Sequence, residues 1–402
     1  MTLQSKAERL EGRAVADPYD ILRTSEVRAS TTSPVKHLKL ELGDGPFVLI
    51  ALFVTPAVDF HGVVSEAEAL FPDVDVVACT TAGEIGTTGY EDGLIVAVAF
   101  PAEGFATTSV MIDDVSALDI QTTIDRITLE RMSLHDATPD FDNNFAFLVV
   151  DGLSLSEDTL AATIAPALRD VPIFGGSAGD GTRFARTYVA LNGKVARNAA
   201  VLTLARSRYE TRVFSLDHLI PGTTQMVVTE ADPARRIVKA INAEPAAREY
   251  ARLVGKDPNQ LDRFTFASHP VVVRIGNTHH VRAIQQVNEN GELVFFSAID
   301  EGMVLTVASQ ENLSAHLERE LAGLGATGSP ANIIGCDCIL RRIEAEQSQQ
   351  TRQISKVLSA HKVTGFSTYG EQIGPLHVNH TMSGVAFYHP PEGTKAGSRV
   401  AD

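Results

Sequence analysis

A mixed α/β fold, layered from sheets and helices in two domains, is the class this sequence predicts. Three observations predict it. Apolar runs of strand length alternate with amphipathic stretches of helix length, and an Asn-Gly turn adds antiparallel pairing. The 402 residues also exceed the ~250–300 at which a single core stops growing.

In chain order, residues 1–44 are polar, carry Ser30-Thr31-Thr32-Ser33-Pro34 and lack sustained periodicity, so they read as an N-terminal arm. The first domain, residues 45–240, opens with an apolar strand at Phe47–Val54, a helix at Val63–Phe71 and a strand at Val74–Cys79. A strand at Leu94–Phe100, a helix at Ala117–Met132 and a strand at Phe145–Asp151 follow. Then come a helix at Ser156–Arg169, a strand at Val171–Phe174 and a hairpin turning at Asn192-Gly193. A polar-apolar run at Pro233–Asn242 reads as helical, and the rhythm changes there, which sets the domain boundary.

The second domain, residues 241–390, has a helix at Ala246–Val254 and strands at Val271–Ile275, Val281–Val287 and Leu293–Ser297. It continues with a helix at Gln310–Gly323, a strand at Ala331–Cys336, one long helix at Leu340–His361 and a strand at Val363–Ser367. Residues 391–402 read as a flexible tail. No repeat is visible at a fixed period, which sets solenoids and propellers aside.

Composition excludes several functions. A formal charge of −16 repels phosphate backbones and anionic lipid, so nucleic acid is a poor partner. The three cysteines, Cys79, Cys336 and Cys338, are an odd number in a chain large enough to fold without disulfides, which fits a reducing compartment. The N-terminus has no apolar central run of a signal peptide, and the longest apolar stretch, Phe47–Val54, is less than half a membrane span. The expectation is a cytoplasmic protein with no membrane span.

Three strand-end loops stand out. Thr80-Thr81-Ala82-Gly83-Glu84, Asp151-Gly152-Leu153-Ser154 and Gly175-Gly176-Ser177-Ala178-Gly179-Asp180 each expose backbone where a mixed α/β sheet presents ligands. The last contains G-x-S-x-G, but Asp180-Gly181 follow where a nucleophile elbow needs a helix, so Ser177 is not read as a nucleophile, although Asp337 and His377 would complete a chain-order triad. The expected role is non-catalytic. Gly335-Cys336-Asp337-Cys338 lacks C-x-x-C spacing and reads as buried small residues. Arg341-Arg342 start a helix, where a cation is unfavourable to the macrodipole unless a carboxylate or anionic ligand meets it. His377 and His380 lie among small and apolar residues, a setting that usually holds a hydrogen-bonded core histidine but also meets the needs of an axial haem ligand. A shared ligand cleft at the domain junction is therefore expected, lined by Gly83, Glu84, Gly176, Ser177, Asp180 and Arg341.

In their order, C-T-T-A-G-E-I at 79–85, D-G-L-S at 151–154, G-G-S-A-G-D-G at 175–181, G-C-D-C-I-L-R-R at 335–342 and the block at 365–386 resemble the FIST family of bacterial sensory proteins. The resemblance runs from near Phe47 to Phe387 and implies an N-terminal and a C-terminal FIST domain in a signal-input protein. Stand-alone architecture and the G-C-D-C-I-L-R-R motif resemble the nitric oxide-sensing branch. That branch implies a haem b cofactor and a partner histidine kinase, or a diguanylate cyclase or phosphodiesterase of cyclic-di-GMP. His377 is the expected haem ligand, with His380 its rival, standing where the family more often has Gln. The alternative is a haem-free receptor for an amino-acid-like ligand, and a homo-oligomer is compatible with either.

Overall fold

The structure is a computed structural model that describes residues 20–276 and 278–390. The predicted tail and the first nineteen residues of the predicted arm lie outside the described residues. The rest of that arm is built into the fold: Arg23–Arg28 is an edge strand and Pro34–Leu42 a helix that buries Val35, Leu38 and Leu42.

Three six-stranded sheets share one topology. In the first, the order is Arg23–Arg28, Leu94–Pro101, Phe47–Val54, Asp75–Thr80, Val189–Leu191, Lys194–Ala196. In the second, it is Phe105–Ile112, Ala200–Ser207, Asn143–Val150, Ile173–Ser177, Glu371–Ile373, Leu376–Val378. In the third, it is Glu210–Asp217, Thr381–Tyr388, Asn332–Cys338, Val363–Thr368, Glu84–Gly86, Gly89–Glu91. Each sheet pairs its third and fourth strands in parallel, joined by helical segments, and all its other pairs are antiparallel.

The last two strands of every sheet are a hairpin supplied by a different repeat. The hairpin that follows Asp75–Thr80 joins the third sheet, the one that follows Ile173–Ser177 joins the first, and the one that follows Val363–Thr368 joins the second. The chain therefore contains three structural repeats in a closed exchange, where a fixed sequence period gave none. Their sequences diverge and the third is interrupted, so no constant spacing survives.

Period-2 burial explains why these strands are apolar on both faces. Leu49, Ala51 and Phe53 of the first sheet meet Phe145, Phe147 and Val149 of the second and Ile334, Cys336, Val385 and Phe387 of the third in one central core. Ile50, Leu52 and Val54 point the other way, onto the helices Pro34–Leu42 and Phe60–Leu70. Helices Ile120–Ala137 and Glu157–Leu168 cover the second sheet in the same manner. Leu313–Leu324 and Thr351–Ala360 cover the third.

A fourth, eight-stranded sheet is built from residues 219–310 and is inserted into the third repeat after its first strand. It carries its own core around Val228, Tyr250 and Phe295. Its two ends meet, since the Glu311 N–H donates to the His218 carbonyl at 3.0 Å. The boundary predicted at 240/241 falls inside its strand Ile237–Ile241, and strands from both halves of the chain share sheets, so the halves are not separate bodies.

Several elements differ from the sequence reading. Pro233–Asn242 is a short 3-10 turn followed by that strand, because Val238 and Ile241 fill the inserted core. Val281–Val287 is divided between the strands Thr278–Val281 and Ile284–Val287. The long helix at Leu340–His361 is two, Ile339–Gln347 and Thr351–Ala360, broken where Gln349 adopts φ 57°.

The parallel pair of the third sheet leaves no room for a side chain at Gly365: a Cβ there would lie 1.8 Å from the Gly335 carbonyl oxygen. Since backbone cannot swing aside, Gly365→Ala is expected to cost about 3 kcal/mol in chemical denaturation. The outward Gly93→Ala, which meets nothing within 4 Å but sits at φ 76°, is expected to cost about 1 kcal/mol.

Candidate functional site

Each parallel pair ends in a loop with the same chemistry: a hydroxyl residue, any residue, glycine, an acid. These are Thr81-Ala82-Gly83-Glu84, Ser177-Ala178-Gly179-Asp180 and Thr368-Tyr369-Gly370-Glu371. In the first and third, the threonine hydroxyl donates to the acid three residues on. The second carboxyl oxygen of Glu84 accepts the Leu94 N–H at 3.0 Å, and that of Glu371 accepts the Thr381 hydroxyl at 2.7 Å. Asp180 instead accepts the N–H groups of Ala185 and Arg186 at 3.0 and 2.9 Å and the Tyr369 hydroxyl.

The loops are laced to one another by backbone. Ala82 N–H donates to Ser367 at 2.8 Å, Ser177 N–H to Gly370 at 2.8 Å and Gly179 N–H to Thr80 at 3.0 Å, which closes the ring. Gly83 adopts φ 134°, and a Cβ on it would strike Arg342 Nη1 at 1.9 Å, so the helix Ile339–Gln347 starts against this loop. The structure thus brings together the loops holding Gly83, Glu84, Gly176, Ser177 and Asp180, and sets the helix of Arg341 against the first of them. The inserted sheet lies over them: its Ala267, Val272, Val281 and Phe296 pack on Ala82, Cys338, Leu340 and Tyr369. Asp180 also borders an open cleft of about 540 Å³ lined by Asp59, Phe60, His61, Arg183 and Tyr188, whereas the other five predicted lining residues are buried outside it.

Beneath the insert lies a buried ionic network. Arg341 Nε donates to Asp337 at 2.7 Å and its Nη1 to His218 Nδ1 at 3.1 Å, with both Arg341 and Asp337 fully buried. The Tyr90 hydroxyl donates to the other oxygen of Asp337. His218 Nε2 and Gln310 Nε2 both donate to Glu344 Oε2 at 2.8 Å, so the two ends of the insert grip one carboxyl group. The carboxylate expected near Arg341 is therefore Asp337, which offsets the helix-end penalty. Burial pushes Glu84 up to about 7 and Glu344 up to about 8, and drives Glu371 well above the usual carboxylate range. Burial, assisted by the Arg341 charge, pushes His218 down to about 2, which keeps it neutral.

Six buried polar atoms in this region have no hydrogen-bond partner: Arg341 Nη2, both ring nitrogens of His380, Asn379 Oδ1, Gln372 Oε1 and Ser367 Oγ. His380 is held at φ 54°, beside the neutral His218 and the Arg341 cation. His377 lies over Gly370, beside Asn379 and Gln372. Its Nδ1 is 3.2 Å from Gln372 Nε2, its Cε1–Nε2 edge rests on Gly370, and its charged neighbours are Asp158, Glu157, Arg236 and Arg282. Ser177 Oγ accepts from Gln372 Nε2 at 3.0 Å, an amide and not a base.

A FIST N domain model matches residues 48–244 and a FIST C domain model matches residues 246–374. The chain belongs to the FIST family. FIST domains are generally small-ligand sensory domains in signal transduction. The two matches meet inside the inserted sheet, between the paired strands of Ile237–Ile241 and Glu244–Pro245 on one side and the helix Ala246–Val254 on the other. No curated protein matches the chain.

The imidazoles allow a fit test for haem. A macrocycle needs an apolar slot facing a free ring nitrogen. The ligating edge of His377 is against Gly370, among amide and charged groups, whereas both ring nitrogens of His380 are unpartnered and its one cationic neighbour is Arg341. Among the described residues no group of three His, Cys, Asp or Glu side chains is placed to hold a metal ion. Burial raises all three cysteine thiols far above neutrality, so they stay protonated and are poor ligands.

The sequence reading missed Gln372 and His218. The recurrence of Thr-x-Gly-Glu at 81–84 and 368–371 is a signal that would have linked the third loop to the first. His218, alone between polar strands, carries none.

The raised acids set a pH dependence. Glu84 binds its proton more tightly folded than unfolded, so its contribution is present in acid and is lost as pH rises from near 4.5 through about 7. Glu344 extends the decline to about 8. The melting temperature is expected to fall between pH 5 and 8, and Glu84→Gln, whose amide oxygen can accept the Leu94 N–H while its NH2 donates to the Thr81 hydroxyl oxygen, is expected to flatten the lower part of that slope.

Proposed function

We propose that this FIST protein senses an amino-acid-like ligand bound among the laced loops, beneath the inserted sheet. The observation that carries the reading is a set of six unpartnered, buried polar atoms on the helix of Arg341, the strand of Ser367, the hairpin of Gln372 and the Asn379-His380 turn that follows it. More than nine in ten buried polar groups find partners in folded proteins, so such a group of orphans calls for a partner from outside the chain. Arg341 Nη2 and His380 supply donors suited to a carboxylate, and the Asn379 and Gln372 carbonyl oxygens supply acceptors suited to an ammonium group.

Every one of these residues is buried, so the ligand reaches them when the insert lifts. Two clasps hold the insert down: Glu344 on His218 and Gln310, and Arg236 on Glu157 and Asp158 at 2.7 and 3.1 Å. Ligand bound next to Arg341 acts directly on the first clasp through His218. The displaced insert is the surface offered to a histidine kinase or a cyclic-di-GMP enzyme. Haem is not part of this reading.

Thermal-shift and calorimetric titration with the twenty amino acids is expected to find saturable binding by at least one of them. His380→Asn suits the left-handed backbone and shortens the side chain. It is expected to weaken binding about tenfold or more while leaving the ligand-free melting temperature nearly unchanged. Absence of binding throughout the panel would count against the proposal, and a Soret band that shifts with nitric oxide would replace it with the haem sensor.

A further inference from the structure

A second cavity lies at the opposite end of the second sheet, at the amino-terminal side of its parallel pair. It has a volume of about 350 Å³ and is lined by Arg131, His135, Asp142, Asn144, Asp170 and Arg206, among others. Its distinguishing feature is charge. Arg206 is 9% exposed, yet no carboxylate among the described residues lies within ion-pair distance of it. Its Nη1 is 2.6 Å from His135 Nδ1 and its Nη2 donates to the Phe141 carbonyl, both neutral partners, while Nε has none. The other buried guanidinium groups with full ion pairs, Arg341 and Arg236, meet carboxylates directly.

A buried cation without a counter-charge is strongly disfavoured, and a guanidinium fork at a cavity wall is shaped for a carboxylate. We propose that this cavity binds a small carboxylate, with Arg206 as its cationic floor. Asp142 and Asp170 on the exposed rim, together with the carbonyl end of the helix Ile120–Ala137, disfavour a dianion. They select a monocarboxylate carrying a hydroxyl or similar donor that turns toward the rim. A volume near the lower end of known ligand pockets limits it to a few carbon atoms. This site is independent of the laced loops and of any ligand bound there.

The test titrates sodium glycolate into the full chain at constant ionic strength and follows the Arg206 Nε–H resonance, assigned by its loss in Arg206→Gln. A saturable shift is expected, with phosphate binding more weakly. Asp142→Asn, an exposed change that leaves folding intact, is expected to tighten glycolate about threefold by removing one like charge at the rim. Glycolate is also expected to raise the melting temperature of the wild type and not of Arg206→Gln. A shift that never saturates, equal stabilisation of Arg206→Gln, or tighter binding of phosphate than glycolate would each overturn the proposal.

Discussion

The exchange of hairpins among the three sheets is the constraint on which the rest of the molecule depends. Each sheet is incomplete until a hairpin from another repeat covers its parallel edge strand, and the donation runs in a cycle with no first member. An exposed parallel strand end would leave a row of unpaired backbone groups, so no single repeat is a stable folding unit. The same cycle forces the loop before each hairpin to cross from one sheet to the next. Three crossings converge at one end of the common core, and this is why the three hydroxyl-Gly-acid loops are bonded to one another.

Convergence has an electrostatic cost. Glu84, Asp337, Arg341 and Glu371 are all fully buried, in a region where ionised groups lose most of their hydration. The chain meets this cost in two ways. Asp337 and Arg341 pair with each other, whereas Glu84 and Glu371 are pushed toward the neutral acid and satisfied by threonine hydroxyls. The orphan atoms of Arg341, His380, Asn379 and Gln372 escape both solutions, which distinguishes them from the surrounding framework.

Much of the fold was legible where burial imposes a simple pattern. Phe47–Val54 and Ala246–Val254 were bounded correctly because one is apolar on both faces and the other strongly amphipathic. The strands Phe105–Ile112 and Glu210–Asp217 were not seen, since the first carries Thr107, Thr108 and Ser109 and the second alternates charged residues along an exposed edge. The first two strand-end glycine loops were expected to share one place, and they do, because glycine marks close approach. The third loop was not expected among them, because its contact depends on pairing between strands almost 300 residues apart, such as Phe366 with Glu84. The two family segments follow one another in the chain, but chain order and sheet membership are uncoupled, so strands of both share sheets.

The inserted sheet leaves and rejoins the third repeat at His218 and Glu311, two residues already joined by a backbone hydrogen bond. A segment whose ends touch imposes no spacing on its host, so the three-repeat body is geometrically complete without it. The insert can therefore hinge about one short neck, as a hatch does, while the strands that flank it stay in register.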